Sequence, residues 1–227
     1  MTTKNAIVYA AWFPNLERSP FYINDMQKNF KDIDIYFGVN PSKSNYHKTL
    51  NLIGYENVAV TPDERVVPSD ASAFQTALEL LKNSGNEYET IYFLHTKGMS
   101  YANDAAWMTS YESYYLGFFR QLKEIEEVLK NNKLVGGVSY VGRKEPMDGS
   151  GYSTALDKYY DFKFNMPVAN IMSLITFYAI RGKIIHKFLK DVKPEFFTDK
   201  LDKYFFETSF PLIVDKLGFE RHHLVMW

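Results

Sequence analysis

The sequence of 227 residues contains no cysteine. Disulfide bonds, thiolate metal sites and a cysteine nucleophile are therefore excluded, and this composition fits a reducing compartment, so we expect a cytoplasmic protein. An excess of charge of either sign is also missing, because 26 Lys and Arg residues nearly balance 27 Asp and Glu residues. A balanced charge gives no indication of a nucleic-acid partner.

Long hydrophobic runs are absent as well. The run from Ala6 to Phe13 is about as long as the apolar part of a signal peptide, but proline and charged residues follow it. We therefore predict a buried first strand there. The longest later run, Ile171 to Ile180, contains Ser173 and Thr176 and is far shorter than the ~20 residues that span a membrane. We expect no membrane span.

Several enzyme motifs are missing from the sequence. Neither GxGxxG nor GxxxxGK[ST] occurs, which argues against a dinucleotide-binding fingerprint and a P-loop. The GxSxG motif of α/β-hydrolases is absent, and so is the HExxH motif of zinc proteases. The adjacent His222 and His223 would point in different directions on a helix or strand, so they are a weak metal signal. We expect them to lie in an exposed or packed tail.

What is present is an alternation of strand and helix patterns. Strands are predicted at Ala6–Phe13, Ile33–Val39, Asn57–Thr61, Ile91–Leu94, Lys133–Tyr140 and Ile171–Tyr178. Helices are predicted from Pro20, around Phe74–Leu81, over Asn103–Lys130 with a break near Gly117, at Gly182–Leu189, and at Asp199–Leu217 with a kink or split at Pro211. This order indicates one α/β domain with a mostly parallel central sheet flanked by helices. Residues 141–168 show no pattern, which is typical of a binding loop or lid.

The strand at Ile91–Leu94 runs directly into polar residues. His95, Thr96, Lys97 and Gly98 follow it and bring an imidazole, a hydroxyl, a cation and a flexible backbone position. Open α/β sheets bind ligands outside the carboxyl ends of their strands. The sequence therefore predicts a ligand site here, and the alternative is an ordinary strand-to-loop transition with a solvated lysine.

Four segments, in this order, resemble a known family. They are YAAWFP at the first strand, SDASAFQTALELL, TIYFLHTKG and YFFETSFPLI. They are similar to small glycosyltransferases of the GT-A fold, in particular the chlorella-virus enzymes and the domain typical of rhamnan-synthesis proteins. The resemblance covers Ala6 to Leu217, and HTKG is its most specific part. It implies a single GT-A-like domain over residues 1–227, with a nucleotide-sugar half at 1–100 and an irregular acceptor half at 101–227.

The resemblance also implies a donor site. It would lie against the nucleoside with Ala10, Ala11 and Trp12, and it would face the ribose or sugar with Asp70, Ser72 and Gln75. A third group, His95, Thr96 and Lys97, occupies the place where most GT-A enzymes carry two carboxylates.

The third group departs from the family pattern. Two carboxylates would hold a divalent ion that neutralises the leaving diphosphate, but a charged lysine has no lone pair for a metal. Lys97 could instead pair with the diphosphate directly. The competing interpretation is a divalent cation, Mn²⁺ or Mg²⁺, held through residues such as Asp70 or His95.

An inverting transfer needs one carboxylate as general base. Glu207 lies among apolar residues that would raise its pKa, and Asp148 lies in a loop that could close over an acceptor. Each has a simpler alternative: Glu207 could pair with a lysine or cap neighbouring backbone, and Asp148 could belong to a turn.

The resemblance thus implies a hexosyl- or deoxyhexosyl-transferase in polysaccharide biosynthesis. It would move a sugar from a nucleoside-diphosphate sugar, by analogy UDP-linked, to a carbohydrate acceptor with inversion. One alternative is a non-catalytic module that binds a carbohydrate or nucleotide sugar. Another is a nucleotidyltransferase that uses Lys97 on a triphosphate, which the missing acidic pair disfavours.

Overall fold

The computed structural model describes residues 5–14, 16–31, 33–41, 46–52, 54–67, 70–140, 142–144, 156–160, 171–173, 177–202 and 205–224. Within these residues the strands are β1 Asn5–Ala11, β2 Asp34–Val39, β3 Val58–Val60, β4 Thr90–His95, β5 Val135–Ser139, β6 Gly142–Lys144, β7 Ile171–Ser173, β8 Tyr178–Arg181 and β9 Glu220–His223.

Seven strands form the central sheet, in the order β3-β2-β1-β4-β8-β5-β9. β1 pairs in parallel with β2 and β4, and β2 pairs in parallel with β3. β8 runs antiparallel to both of its neighbours, and the edge strand β9 is again parallel to β5. β6 and β7 form a separate antiparallel pair. The prediction of a mostly parallel α/β sheet is confirmed.

The described helices lie on both faces of this sheet. They are α1 Ser19–Asn29, α2 Tyr46–Leu52, α3 Ala71–Ser84, α4 Asp104–Ser110, α5 Gly117–Arg120, α6 Leu122–Asn131, α7 Gly182–Asp191 and α8 Phe205–Lys216. A π-helix, Tyr111–Leu116, joins α4 to α5, short 3₁₀ segments lie at Leu16–Arg18, Asp63–Arg65 and Pro194–Phe197, and residues 156–159 are also helical. None of the helices in the described ranges is long and apolar enough to cross a membrane.

Each face of the sheet carries its own apolar core. In β1, Ala6, Val8 and Ala10 belong to the core beneath α3, α7 and α8. The alternate residues Ile7 and Tyr9 belong to the core beneath α1 and α4–α6. A strand buried on both faces reads as a continuous apolar run, which explains why β1 resembled a signal sequence.

Gly38 in β2 lets α3 lie unusually close to the sheet. A Cβ atom at this position would come within 1.8 Å of the Ala73 carbonyl oxygen. The first turns of α3 therefore press directly onto β2, which fixes where the residues at the start of this helix can point.

Gly117 has a different role from the one expected. The helical segment continues through Gly117, and the interruption falls at Gln121, whose φ of −102° and ψ of 2° are not α-helical. A Cβ at Gly117 would lie 1.9 Å from the Tyr140 hydroxyl oxygen. The predicted interruption of the helical segment is present, four residues after Gly117, and the glycine itself makes room for a neighbouring ring.

Two predictions for the second half were wrong. The segment Ile171–Tyr178 is not one strand, since β7 pairs with β6 while β8 inserts between β4 and β5. The residues expected to form a tail include the edge strand β9. The last long helix begins at Phe205, and residues 199–202 lie outside it.

Candidate functional site

A cavity of about 660 Å³ opens at the carboxyl ends of the parallel strands. From β1 the chain proceeds outward to β2 and β3, and it returns to β4 on the other side of β1. Such a reversal of strand order is where open α/β sheets bind ligands. Of the predicted site residues, those that line the cavity are Ala10, Ala11, Trp12, Asp70, His95, Thr96 and Lys97.

Thr96 joins the ends of β1 and β4. Its hydroxyl accepts a hydrogen bond from the Trp12 amide at 3.0 Å and donates one to the Trp12 carbonyl oxygen, also at 3.0 Å. Its own amide donates to the Ala10 carbonyl oxygen at 3.2 Å. The Thr96 hydroxyl is thus used within the protein, and what it fixes is the backbone of Trp12. The Trp12 side chain is 38 % exposed and offers the cavity a flat ring.

Asn40, which the sequence analysis did not single out, lines the cavity at the end of β2. Its side-chain oxygen accepts a hydrogen bond from the Ser72 hydroxyl at 3.0 Å. Ser72 is fully buried and also accepts from the Val67 amide at 3.4 Å. Asn40 follows a buried strand just as His95 does, so the rule that identified the polar residues after β4 would have found it.

Ser72 and Gln75 do not line the cavity. Gln75 is fully buried, and its side-chain amide donates to the Phe196 carbonyl oxygen and, at 2.9 Å, to that of Asp199. Both side chains are fully buried in the protein, on the helix that packs closely against β2 at Gly38. Ser72 orients a cavity residue, and Gln75 anchors the segment that leads towards α8.

Asp70 and His95 face each other across one end of the cavity. Asp70 stands at the N-cap position of α3 but makes no capping bond with its side chain. Its carboxylate lies 3.7 Å from His95 Nδ1, which makes an ion pair when the imidazole is protonated. The His95 ring stacks on Phe177 with centroids 4.9 Å apart.

Lys97 supplies a cation to the cavity wall. It lies in the turn that follows β4, and its ammonium nitrogen is 5.9 Å from the centre of the Tyr114 ring. None of the ion pairs between described residues includes Lys97. A lysine in this position presents a point charge suited to a phosphate group.

Glu207, in the first turn of α8, is half-buried. Its pKa is raised from the usual 4.5 to about 8. Burial is the largest cause, the negative charge of Asp70 acts in the same direction, and the positive charge of Lys97 opposes the shift. Glu207 does not itself line the cavity, but it lies within the electrostatic influence of two residues that do. The structure thus brings together a cation and two carboxylates that are far apart in sequence.

The backbone at Glu207 is held in an unusual way. Pro211 lies inside α8 and has no amide proton, so it cannot donate to the Glu207 carbonyl four residues earlier. The Tyr178 hydroxyl, from β8, is directed instead at the carbonyl oxygens of Phe206, at 3.1 Å, and Glu207, at 3.4 Å. Helix α8 therefore continues through Pro211, because a hydroxyl from the sheet supplies the hydrogen-bond donor that the proline lacks.

The other predicted residues lie away from this cavity or outside the described part. Asp148 is outside the described residues. His223, in β9, bonds through Nδ1 to the Ser139 hydroxyl, and burial lowers its pKa to about 4. Arg221 next to it pairs with Asp215 at 2.7 Å. His223 is thus a neutral imidazole in an edge strand and does not line the cavity.

Asp70 and His95 lie together in the cavity and carry atoms that could bind a divalent cation. Among the residues that the structure describes, no three His, Asp or Glu side chains lie close enough to hold a metal ion. Asp70 and His95 offer two ligands, and octahedral cations need more. These two residues therefore do not fit a metal site built from protein ligands alone.

No protein-family model matches the sequence, and no curated protein matches it. Among solved structures, glucosyl-3-phosphoglycerate synthase from Mycobacterium tuberculosis, in complex with Mg²⁺ and uridine diphosphate, matches 99% of this chain and 69% of its own at 10% identity, with a TM-score of 0.52. A 4-diphosphocytidyl-2C-methyl-D-erythritol synthase matches 99% and 89% at 12% identity, with a TM-score of 0.49. At such low identity, the first of these similarities shows a GT-A-like fold and nothing finer.

Proposed function

We propose that this protein transfers a sugar from a nucleoside-diphosphate sugar to a carbohydrate acceptor. The observation that carries the proposal is the set of groups at the switch-point cavity. An exposed tryptophan and an ammonium group outside the described ion pairs line this cavity, where open α/β sheets bind ligands, and a carboxylate with a raised pKa lies close enough to interact electrostatically with that ammonium group. In this proposal residues 1–227 form one domain, with the donor site in residues 1–100 and the acceptor site in residues 101–227.

The donor would lie along the ends of β1 and β4. The Trp12 ring offers a surface on which a nucleobase can stack. Lys97 would pair with the diphosphate and stabilise the negative charge that develops as the glycosidic bond breaks. UDP is the carrier that we propose, because the sequence resembles glycosyltransferases of this fold and one similar fold holds UDP.

Glu207 is the general base that we propose for an inverting transfer. The acceptor oxygen would attack the anomeric carbon while the bond from that carbon to the diphosphate oxygen breaks. The hydroxyl proton would pass to Glu207, and the bonding electron pair would leave with the diphosphate. A pKa of about 8 suits this role, because a base is most effective when its pKa lies near the working pH. Asp148 is the second candidate base.

Ligand binding to the folded state tests the proposal directly. Thermal shifts would be measured with UDP, GDP and their sugars, each with Mn²⁺ and with a chelator. A ligand at 100 times its Kd adds about 2.7 kcal/mol to the free energy of unfolding. We expect stabilisation by UDP. A shift that survives chelation supports direct pairing with Lys97, a shift only with Mn²⁺ supports a cation at Asp70 or His95, and no shift with any nucleotide overturns the proposal.

A non-catalytic nucleotide-sugar-binding module is the second candidate function. It is favoured by the pKa of Glu207, since a carboxyl with a pKa of about 8 is mostly protonated at pH 7 and cannot then accept a proton. Transfer and hydrolysis of UDP-sugars would be assayed at pH 8.5, where the carboxylate form dominates. Turnover that is lost in Glu207→Gln supports the enzyme. Tight UDP-sugar binding without turnover towards any saccharide acceptor supports the module.

A further inference from the structure

Two side chains, one just before α1 and one in its first turn, donate hydrogen bonds to the turn that carries Lys97. We call residues 97–101 the Lys97 turn. Tyr22 is fully buried, and its hydroxyl donates a hydrogen bond to the Lys97 carbonyl oxygen. Arg18 is also buried, and its guanidinium donates to the Tyr101 carbonyl oxygen at 2.6 Å. The two side chains therefore fix the first and the last carbonyl group of the turn.

Trp107 connects these two contacts. Its indole nitrogen donates to the Tyr22 hydroxyl oxygen at 3.0 Å, and the Arg18 guanidinium carbon lies 4.7 Å from the centre of its ring. The Tyr22 hydroxyl thus accepts one hydrogen bond and has a single proton to donate, which goes to Lys97. Burial raises the pKa of Tyr22 well above its usual range, so the phenol keeps that proton at any working pH.

Three backbone hydrogen bonds also shape the Lys97 turn. The Lys97 amide donates to the His95 carbonyl oxygen at 2.8 Å, the Met99 amide to that of Thr96 at 3.3 Å, and the Tyr101 amide to that of Gly98 at 2.9 Å. None of the three uses the Lys97 carbonyl oxygen, which accepts from Tyr22. Gly98 has a φ of +90°, and a Cβ there would lie 3.0 Å from the Ser110 Cβ. A lysine side chain is long and flexible, so the direction of its ammonium group depends on how firmly its own backbone is fixed.

We propose that Tyr22 is a positioning residue for Lys97, acting through the Lys97 carbonyl group so that the ammonium meets the diphosphate of a nucleoside-diphosphate ligand. This inference rests on the proposed function, because it assumes that the diphosphate of the donor pairs with Lys97. Tyr22 itself does not line the cavity. Its loss should therefore affect ligands that carry a diphosphate and spare those that do not.

Calorimetric titration with UDP and with uridine tests the proposal. Tyr22→Phe removes one oxygen atom, and we expect its Kd for UDP to rise roughly 3- to 10-fold with the Kd for uridine unchanged, as for the loss of one hydrogen bond. In a Lys97→Ala background the same substitution should have no further effect, since coupled residues are not additive. Tyr36→Phe is the matched control. It removes a buried hydroxyl, bonded to Tyr88 and Ser84 outside the cavity, and should leave both Kd values unchanged.

The outcomes separate the two proposals. If the unaltered protein binds UDP and Tyr22→Phe binds it equally well, the positioning role is overturned while the proposed function stands. Equal weakening of UDP and uridine, or full additivity with Lys97→Ala, also overturns it, because both indicate a general loss of packing. Should Tyr22→Phe fail to fold, Arg18→Lys replaces it in the same cycle, with the same selective loss expected. An unaltered protein that binds no nucleotide overturns both proposals.

Discussion

At the scale of single residues, Glu207 links the chemistry of the cavity to a measurable pH dependence. Glu207→Gln keeps the shape of the side chain but cannot accept a proton. We expect kcat to fall roughly 10²- to 10⁴-fold, which is the usual contribution of a general base. In the unaltered protein, kcat/KM should rise with pH and level off above about 8, where the carboxylate form dominates. Unchanged turnover in the variant would assign the base elsewhere, with Asp148 as the next residue to replace.

The raised pKa of Glu207 also predicts how the free energy of unfolding depends on pH, and this can be tested without an activity assay. Because the folded-state pKa of Glu207 lies above its usual 4.5, the folded protein binds this proton more tightly than the unfolded chain does. Stability is therefore lost as pH rises from 4.5 to about 8, by at most about 5 kcal/mol at ~1.4 kcal/mol per pKa unit, and by less once solvent screening is allowed for. Urea unfolding at pH 5 and pH 8.5 should show a smaller decrease in Glu207→Gln than in the unaltered protein. Equal decreases would show that the carboxyl is not buried as described.

Lys97 and Trp12 should differ in which part of the ligand they affect. Lys97→Ala removes a charge-assisted contact worth about 1.5–3 kcal/mol, so the Kd for UDP should rise roughly 10- to 100-fold while that for uridine stays constant. Trp12→Ala removes the stacking surface and should weaken UDP and uridine alike. Calorimetric titration of both ligands compares the two variants. The same loss pattern in both would contradict the assignment of separate subsites.

The residues show where sequence reasoning succeeds and where it ends. The polar residues after β4 could be placed at a cavity because parallel strands end at the same edge of a sheet. Ser72 and Gln75 could not be placed in the same way, because their direction depends on how closely α3 approaches β2. Gly38 permits this close approach, and it lies 34 residues before Ser72 in the chain, so no local pattern reports it.

At the scale of elements, the contact between α3 and β2 decides the shape of the donor side. Gly38→Ala would place a methyl group against the Ala73 carbonyl, so α3 would have to move. We expect the free energy of unfolding to fall by about 1–3 kcal/mol, as for other overpacked sites, and UDP binding to weaken with it. Gly137→Ala in β5 is the matched control, because the nearest neighbour of its Cβ would be the Val214 methyl group at 3.4 Å, an ordinary contact distance. Comparable losses in both variants would show that strand glycines in general, and not this contact, determine stability.

The elements also show why the second half was harder to predict. The first four strands alternate with helices in chain order, and this order can be inferred from hydrophobic pattern alone. β8, in contrast, inserts antiparallel between β4 and β5, and β9 reaches the edge from the far end of the chain. β9 has the short, half-exposed pattern of a polar segment, so only its pairing with β5 distinguishes it from a tail.

At the scale of the whole molecule, the edge strand β9 couples the end of the described chain to global stability through His223. Burial lowers the folded-state pKa of His223 from its usual 6.5 to about 4, so below pH 6.5 the unfolded chain binds more protons than the folded protein. The contribution of His223 to the free energy of unfolding should therefore be complete above pH 6.5. It should be lost as pH falls towards 4, and the loss is on the order of 1–2 kcal/mol once solvent screening is allowed for.

Replacing His223 isolates this contribution. His223→Asn retains a polar group near Ser139 but does not titrate. Because Glu207 changes stability in the opposite direction over the same pH range, the substitution is made in the Glu207→Gln variant. The stability of Glu207→Gln should fall more between pH 7 and pH 4.5 than that of the double variant Glu207→Gln, His223→Asn. His222→Asn, in the same strand but exposed, is the matched control and should keep the full pH dependence. Chemical unfolding at both pH values measures the difference. A double variant whose profile is as steep as that of Glu207→Gln would place the group that titrates in this range elsewhere in the molecule.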